Sequence, residues 1–521
     1  MHPRTVEADE HDSLKVTPMK RLLLCVLAAT ILAAAPKKPK LIVAVVFDQF
    51  RYDYLERFRG DYHGGFDRLL TQGAVFTSAH YQHFPTVTAI GHSTFLSGAL
   101  PSVSGIIGNE WYDRDAAALV TSVSDSQTKL VGGPAGAGSS PRRFLVDTVG
   151  DELKMAGGGK SRVIGISLKD RAAILPAGHM ADGAFWLDNS TGRFVSSTYY
   201  FEDVPGWVKS FNDAHPADGY ARAKWLDHTM PADPSKLYPA LAASPYGNEM
   251  VEAFAERALE SEQLGTHEET DLLTVSFSSN DYIGHSYGPD SPEVRDISLR
   301  SDVLLGKLLQ AVDRQVGLDR VLVVMTADHG VAPVPEVNAA RHMPGGRMPP
   351  GIVAGTVQKA LRARYGNFDW ISNTQDHSVY LNWELIAAKK LDLAEVTRTA
   401  AQAVAGIPHV LRAFTREQLM NGTVLPDTSG RDVLNGYYAP RGADVEFLLE
   451  PYWIVGTAKA THSSTFDYDT HVPVVFLGAG IRPGRYDESI VVNDIAPTLA
   501  NILHVETPSG SVGRVLSEMF Q

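Results

Sequence analysis

Asp281 and His285 form a D-x-x-x-H pair, and Asp328 and His329 are adjacent and followed by glycine. Asp48 closes an apolar run, and His462 stands in a Thr-His-Ser-Ser turn ahead of another such run. Any one of these reads more readily as a turn or cap than as a ligand set. Placement changes the reading: three apolar runs each end in a carboxylate, with imidazoles beside them. Mixed Asp/His ligation suits Zn²⁺ and tolerates Mn²⁺ or Co²⁺. Two such ions about 4 Å apart clamp the attacking and leaving oxygens of an in-line displacement. Thr88 lies where Phe84-Pro85-Thr86-Val87 runs into a helical pattern. A hydroxyl there caps the helix. In the same place, with backbone N–H groups aimed at an anion and a metal lowering its pKa, it becomes a nucleophile. Residue chemistry alone leaves the two readings even.

The elements that must position these groups are legible. Residues 40–47, 272–277, 320–326 and 472–477 are β-branched runs of strand length, and 162–166 is another. Continuous apolar runs of this kind are strands buried on both faces. Between them lie helical patterns such as 291–316, apolar at three- and four-residue spacing. Strands alternating with helices predict an α/β sandwich around a mostly parallel sheet, whose strand ends are where ligands bind. Residues 336–455 open on a Gly/Pro/Met-rich loop and carry weaker signals. They are expected to be an inserted cap on a catalytic domain of 36–335 and 456–521, with a smaller insertion near 186–245.

A chain of 521 residues with 44% hydrophobic and 21% charged content is an ordinary globular protein too long for one simple core. The net charge of -13 argues against nucleic acid or anionic membrane as partner, so a phosphate substrate must be drawn in locally. Met19-Lys20-Arg21 followed by an apolar run to Ala35 reads as a secretory signal peptide over 1–35, with Met19 an alternative start. The run is short for a membrane span, so no stable insertion is expected after cleavage. The one cysteine, Cys25, falls inside that leader. A mature chain without cysteine, exported, suits a bacterial periplasm or the medium.

P-T-x-T followed by G-H, then Gly105-Ile106-Ile107-Gly108-Asn109, resembles the alkaline phosphatase superfamily. The likeness is greatest to the branch shared by nucleotide pyrophosphatase/phosphodiesterases and the threonine-dependent bacterial alkaline phosphatases of the PafA type. It implies an alkaline-phosphatase-like three-layer sandwich and two divalent metal ions, Zn²⁺ favoured. It implies Thr88 as nucleophile and Asn109 at the phosphoryl group. One metal site falls on Asp281, His285 and His462, the other on Asp48, Asp328 and His329, with the Thr88 oxygen also bound there. His471 is a second candidate for the last ligand, because Ser463 stands where related turns carry glycine after the histidine. His462 is favoured.

Lys169-Asp170-Arg171 resembles the monoesterase signature of the PafA-type enzymes, in which the lysine and arginine reach the phosphoryl oxygens. From spacing alone a solvated turn would be the better reading. A monoester dianion carries one more charged oxygen than a diester, and a cationic pair gains most when that oxygen is free. The resemblance therefore implies a monomeric alkaline phosphatase acting on small phosphate monoesters through a phosphothreonine. The alternatives are a phosphodiesterase or nucleotide pyrophosphatase on the same scaffold, and more remotely a non-catalytic metal-dependent binding protein.

Overall fold

A computed structural model describes residues 38–375 and 377–520; the leader read in 1–35 lies outside the described residues. The apolar runs become strands of one sheet: β1 (Leu41–Phe47), β2 (Ala74–His80), β3 (Val163–Ser167), β4 (Gly183–Asp188), β5 (Asp271–Phe277), β6 (Val321–Thr326) and β7 (His471–Gly478). Every residue of β1, β3, β5 and β6 is buried, which is why these runs show no polar alternation.

The sheet has 12 strands, ordered through its middle as β2-β7-β6-β1-β5-β3-β4. Its centre is parallel, as expected, and the sheet as a whole is mixed. β6, β1, β5, β3 and β4 are mutually parallel, but β7 runs antiparallel to both β6 and β2. The strand Arg193–Ser197, inside the stretch read as a small insertion, pairs antiparallel with β4 and extends the sheet. Reversing β7 matters for the site. Its start, not its end, meets the C-terminal edge of the parallel strands, since Val474 pairs with Thr326 at the end of β6. A loop entering β7 thus reaches the edge where β1, β5 and β6 finish.

Helices cover the sheet. α1 (Thr88–Ser97) packs on α2 (Asp170–Ala177), and α2 on β3 and β4. α3 (Ser279–Tyr287) follows β5, and α4 (Pro292–Gln315) packs on it and on Pro245–Ser261. α4 begins where its sequence says it should: Ser291 caps it by accepting from the Val294 N–H, with proline in the first turn. Residues 336–455 build a separate apolar core from Val357, Leu361, Trp370, Val396, Val445 and Phe447 among others. A four-stranded antiparallel sheet runs through it, ordered Ile371–Gln375, Ser378–Leu381, Val445–Leu449, Val410–Thr415.

Candidate active site

Each carboxylate of the site leaves a strand end. Asp48 follows β1, Asp281 lies in the first turn of α3 just after β5, and Asp328 with His329 follows β6. All four side chains are buried. His285 comes one helical turn after Asp281, which puts both on one face of α3, and its Nε2 lies 3.1 Å from Asp281 Oδ1. His462 arrives on the loop before β7, its Nε2 3.8 Å from the same Asp281 oxygen, its ring stacked on His329 with centroids 3.7 Å apart. His471 does not join them. It is stacked between Tyr52 and His80 and hydrogen-bonds the Thr77 carbonyl.

The imidazoles are oriented by backbone. The ring Nδ1 of His285 bonds the Ala460 carbonyl at 2.8 Å, that of His462 the Thr86 carbonyl at 2.7 Å, and that of His329 the Gly330 carbonyl at 2.9 Å. Each bond turns Nε2 toward the site, the orientation a metal ligand requires, and although burial works against it, the Asp281 carboxylate raises the His285 pKa. Burial, then the neighbouring His329 and His285, holds the His462 imidazole well below its usual pKa. Burial also lowers His329, so both rings are neutral.

Two groups gather ligand atoms within 4.8 Å of one another: Asp281, His329 and His462, and Asp48, Asp328 and His329. His329 belongs to both, bridging sets that the family resemblance keeps apart. Asp48 Oδ1, Asp328 Oδ2 and His329 Nε2 are buried with no hydrogen-bond partner among the described residues. Three buried carboxylates converge here against a single buried ammonium, that of Lys169. Unpaired buried acceptors and an excess of negative charge are costly, and divalent cations on these atoms would relieve both. The donor set, three carboxylates and imidazoles whose Nδ1 atoms are taken by backbone carbonyls, fits them.

Lys169 occupies the centre. Its Nζ donates to Asp48 Oδ2 and to Asp281 Oδ2, each at 2.7 Å, and lies 3.3 Å from Thr88 Oγ1. Burial alone would lower its pKa, but Asp281 and Asp48 outweigh it, and the ammonium stays charged. Burial would likewise raise Asp281, yet Lys169 and His285 hold it well below the usual carboxylate range. Burial and the Asp328 carboxylate push Asp48 the other way.

Thr88 is the first residue of α1 and 1% exposed. It is not the cap: Val87 takes that position and makes no side-chain capping bond. The orphan Ala89 N–H is instead satisfied by Asn109 Oδ1 at 2.9 Å, and that oxygen also accepts from Arg171 Nε at 3.1 Å. Asn109, Arg171, Lys169 and the start of α1 are therefore tied into one polar cluster around the Thr88 hydroxyl. Glycine at 91 lets α1 approach this closely, since a Cβ there would lie 2.2 Å from the Asp328 carbonyl oxygen.

Two residues of the site were missed in the sequence. Gln49 sits at φ 60°, donates from its backbone N–H to Asp328 Oδ1 at 3.0 Å and from Nε2 to Asp281 Oδ1 at 2.6 Å, and so spans both ligand groups. Its one signal is its place directly after Asp48. Thr86, the first threonine of P-T-x-T, exchanges hydrogen bonds with Ser464 at 3.1 Å while its carbonyl holds His462. A cavity of about 200 Å³ opens beside Val87, Asn109 and Ser463 and runs beneath residues 375–446.

The family model described as type I phosphodiesterase / nucleotide pyrophosphatase matches residues 42–416. A Myroides odoratus protein named calcium-transporting ATPase is 35% identical over 96% of this chain and 98% of its own length. Alkaline phosphatase PafA of Elizabethkingia meningoseptica is 34% identical over 97% of this chain and 99% of its own. The crystal structure of wild-type alkaline phosphatase PafA superimposes with a TM-score of 0.87 at 34% identity, covering 94% of this chain and 100% of that one. A match of that extent spans the strand ends, the loop before β7 and residues 336–455 alike, and the chain belongs to the type I phosphodiesterase / nucleotide pyrophosphatase family, alongside its PafA-like alkaline phosphatases.

Proposed function

We propose that this protein hydrolyses phosphate monoesters in the bacterial periplasm or outside the cell, with Thr88 as nucleophile. The observation that carries the reading is the Lys169 ammonium, buried 3.3 Å from Thr88 Oγ1 and within one polar cluster with Asn109 and Arg171. Positive charge beside the nucleophile, from Lys169 with Arg171 in the same cluster, favours the substrate with the most charged oxygens, a monoester dianion. PafA, named an alkaline phosphatase, shares this architecture.

Thr88 Oγ attacks phosphorus in line, and the bond to the alcohol oxygen breaks. Asn109 and Arg171 orient the phosphoryl oxygens while Lys169 offsets the charge that builds on them. Water then cleaves the phosphothreonine and returns Thr88 with free phosphate. Asp281, His285 and His462 would hold one divalent ion and Asp48, Asp328 and His329 the other, Zn²⁺ best suited to such a set. When bound, the ions supply Lewis-acid charge at the attacking and leaving oxygens. Gln49 holds carboxylates from both groups at fixed spacing. Among the described residues, no helix is long and apolar enough to cross a membrane.

The test compares phenyl phosphate with diphenyl phosphate. The monoester is expected to be cleaved faster, and Lys169→Ala with Arg171→Ala should narrow that gap by about 10²-fold or more. Faster diester cleavage by the native enzyme would sink the assignment. Thr88→Ala should fold and bind metal yet lose turnover; retained activity would remove Thr88 as nucleophile.

A further inference from the structure

The cavity beside Asn109 has walls of two kinds. Phe84, Val87 and Ile107 come from the segments that carry Thr88 and Asn109, while Tyr437, Ser378 and Glu446 come from the 336–455 region. Its volume of about 200 Å³ accommodates a substituted ring or a small sugar. Its charge is one-sided: among the described residues, Glu446 and Glu110 line it, and no lysine or arginine does. Glu446 is held in place, its Oε2 accepting from Ser378 Oγ at 2.6 Å across the paired strands. Burial pushes its carboxyl up to about 7, so in the alkaline range it is ionised and accepts hydrogen bonds.

The phosphoryl end is the opposite, with Lys169 and Arg171 beside Thr88. An alcohol leaving from phosphorus at Thr88, next to Asn109, has this cavity at hand. We infer that it is the leaving-group subsite, and that Glu446 makes the enzyme select monoesters whose alcohol is neutral or ammonium-bearing and rich in hydrogen-bond donors, against alcohols carrying a second anion. A carboxylate or second phosphate there would meet Glu446 in a partly desolvated space, with Arg416 and Arg114 engaged behind the wall at Tyr437 and Gly442. An ammonium gains a charge-assisted bond. The inference depends on the phosphomonoesterase reading above and extends it to the substrate's other end.

Three ring-matched substrates test it: 4-(aminomethyl)phenyl, 4-methylphenyl and 4-carboxyphenyl phosphate, with kcat/KM measured on the native metal-loaded enzyme and on Glu446→Gln. The aminomethyl ester should exceed the carboxy ester by about tenfold or more in the native enzyme. Glu446→Gln should bring that ratio close to its value in an unselective alkaline hydrolysis. Taking the ratio within each protein cancels active fraction, and comparing it between the two proteins cancels leaving-group reactivity; for the native enzyme alone, each rate is divided by that ester's uncatalysed alkaline hydrolysis rate. Should Glu446→Gln fail to fold, the native ranking still decides, because equal or reversed rates for the two charged esters contradict the subsite. A ratio unmoved by Glu446→Gln overturns the role of Glu446 while leaving the monoesterase intact. An enzyme that cleaves none of the three loses both readings together.

Discussion

The strand-end edge of the central sheet and the 336–455 region meet at one cavity but are built on opposite terms. At the strand ends, three carboxylates, the His329 imidazole and an ammonium are buried where β1, β3, β5 and β6 place them, with His285 and His462 half-buried beside them. Such a cluster is unstable alone and is fixed by a scaffold whose backbone cannot shift without breaking the sheet ladder. The 336–455 region supplies none of the ten candidate site residues. It rests on a core of its own and sends aromatic and apolar side chains, Phe414, Val433 and Tyr437 among them, onto Phe84 just ahead of Thr88. Under the proposed function chemistry falls to the rigid strand ends, and with the inferred subsite the choice of substrate falls to the region packed above them. If that division is right, damage at the strand ends should abolish turnover, whereas damage in the 336–455 region should move selectivity and KM.

Lys169→Ala probes the strand-end side most severely. The ammonium compensates Asp48 and Asp281 at 2.7 Å each. Removing one partner of a buried charged pair costs about 3–5 kcal/mol, because the remaining charge stays buried. Chelator-treated Lys169→Ala should therefore unfold at lower urea than chelator-treated wild type by that amount. Zn²⁺ should restore much of the loss by giving the carboxylates another cation. An equal shift with and without Zn²⁺ would show that Lys169 is a packing residue and not part of the charge balance.

Gly436→Ala strikes the contact between the two regions. Gly436 ends the helix Thr428–Gly436, and a Cβ there would lie 1.6 Å from the Phe84 carbonyl oxygen. Phe84 N in turn donates to the Asp432 carbonyl at 3.0 Å. A methyl cannot be accommodated without moving the helix or the segment leading to Thr88, a cost of about 1–3 kcal/mol. KM should rise more than kcat falls if the strand ends keep their geometry. A collapse of kcat at constant KM would mean that the contact positions the nucleophile itself, and the division of labour would need redrawing.

Most of the strand-end side could be read in advance because double-sided burial writes itself as unbroken β-branched runs. Residues 40–47 became β1 to within one residue, and Asp48 and Asp328 then had to sit at strand ends. The reversal of β7 could not be read, since an apolar run carries no mark of its direction in the sheet. The 336–455 region gave weak signals for a different reason. Its strand Ile371–Gln375 has no fully buried residue and reads Ile-Ser-Asn-Thr-Gln, without the apolar period that marks a core strand. Gln49 and Thr86 stayed hidden because their work is long-range, with bonds spanning 232 and 378 positions. The Lys169 contacts with Asp48 and Asp281 are equally non-local, so the sequence could suggest a cation near phosphate but not one lodged between two carboxylates.

The smallest effect lies at the seam, in the turn after His462. Ser463 has φ 93°, in the left-handed region where a side chain is strained and glycine is not. Glycine in this turn would avoid that strain. Here the turn is held by other means: Ser464 N and Oγ donate to Asp469 Oδ2 at 2.8 and 2.6 Å, and Thr86 clasps Ser464 from the other side. Ser463→Gly relieves the strain but adds freedom to the unfolded chain, which costs about 0.5–1 kcal/mol. Strain at such a residue is about 1–3 kcal/mol, so the net gain in urea-unfolding stability should lie between about 0 and 2.5 kcal/mol, centred near 1. A clear loss would show that the Ser463 side chain contributes more at the cavity wall than its backbone costs, and would move this residue from the strand-end scaffold to the substrate-selecting side.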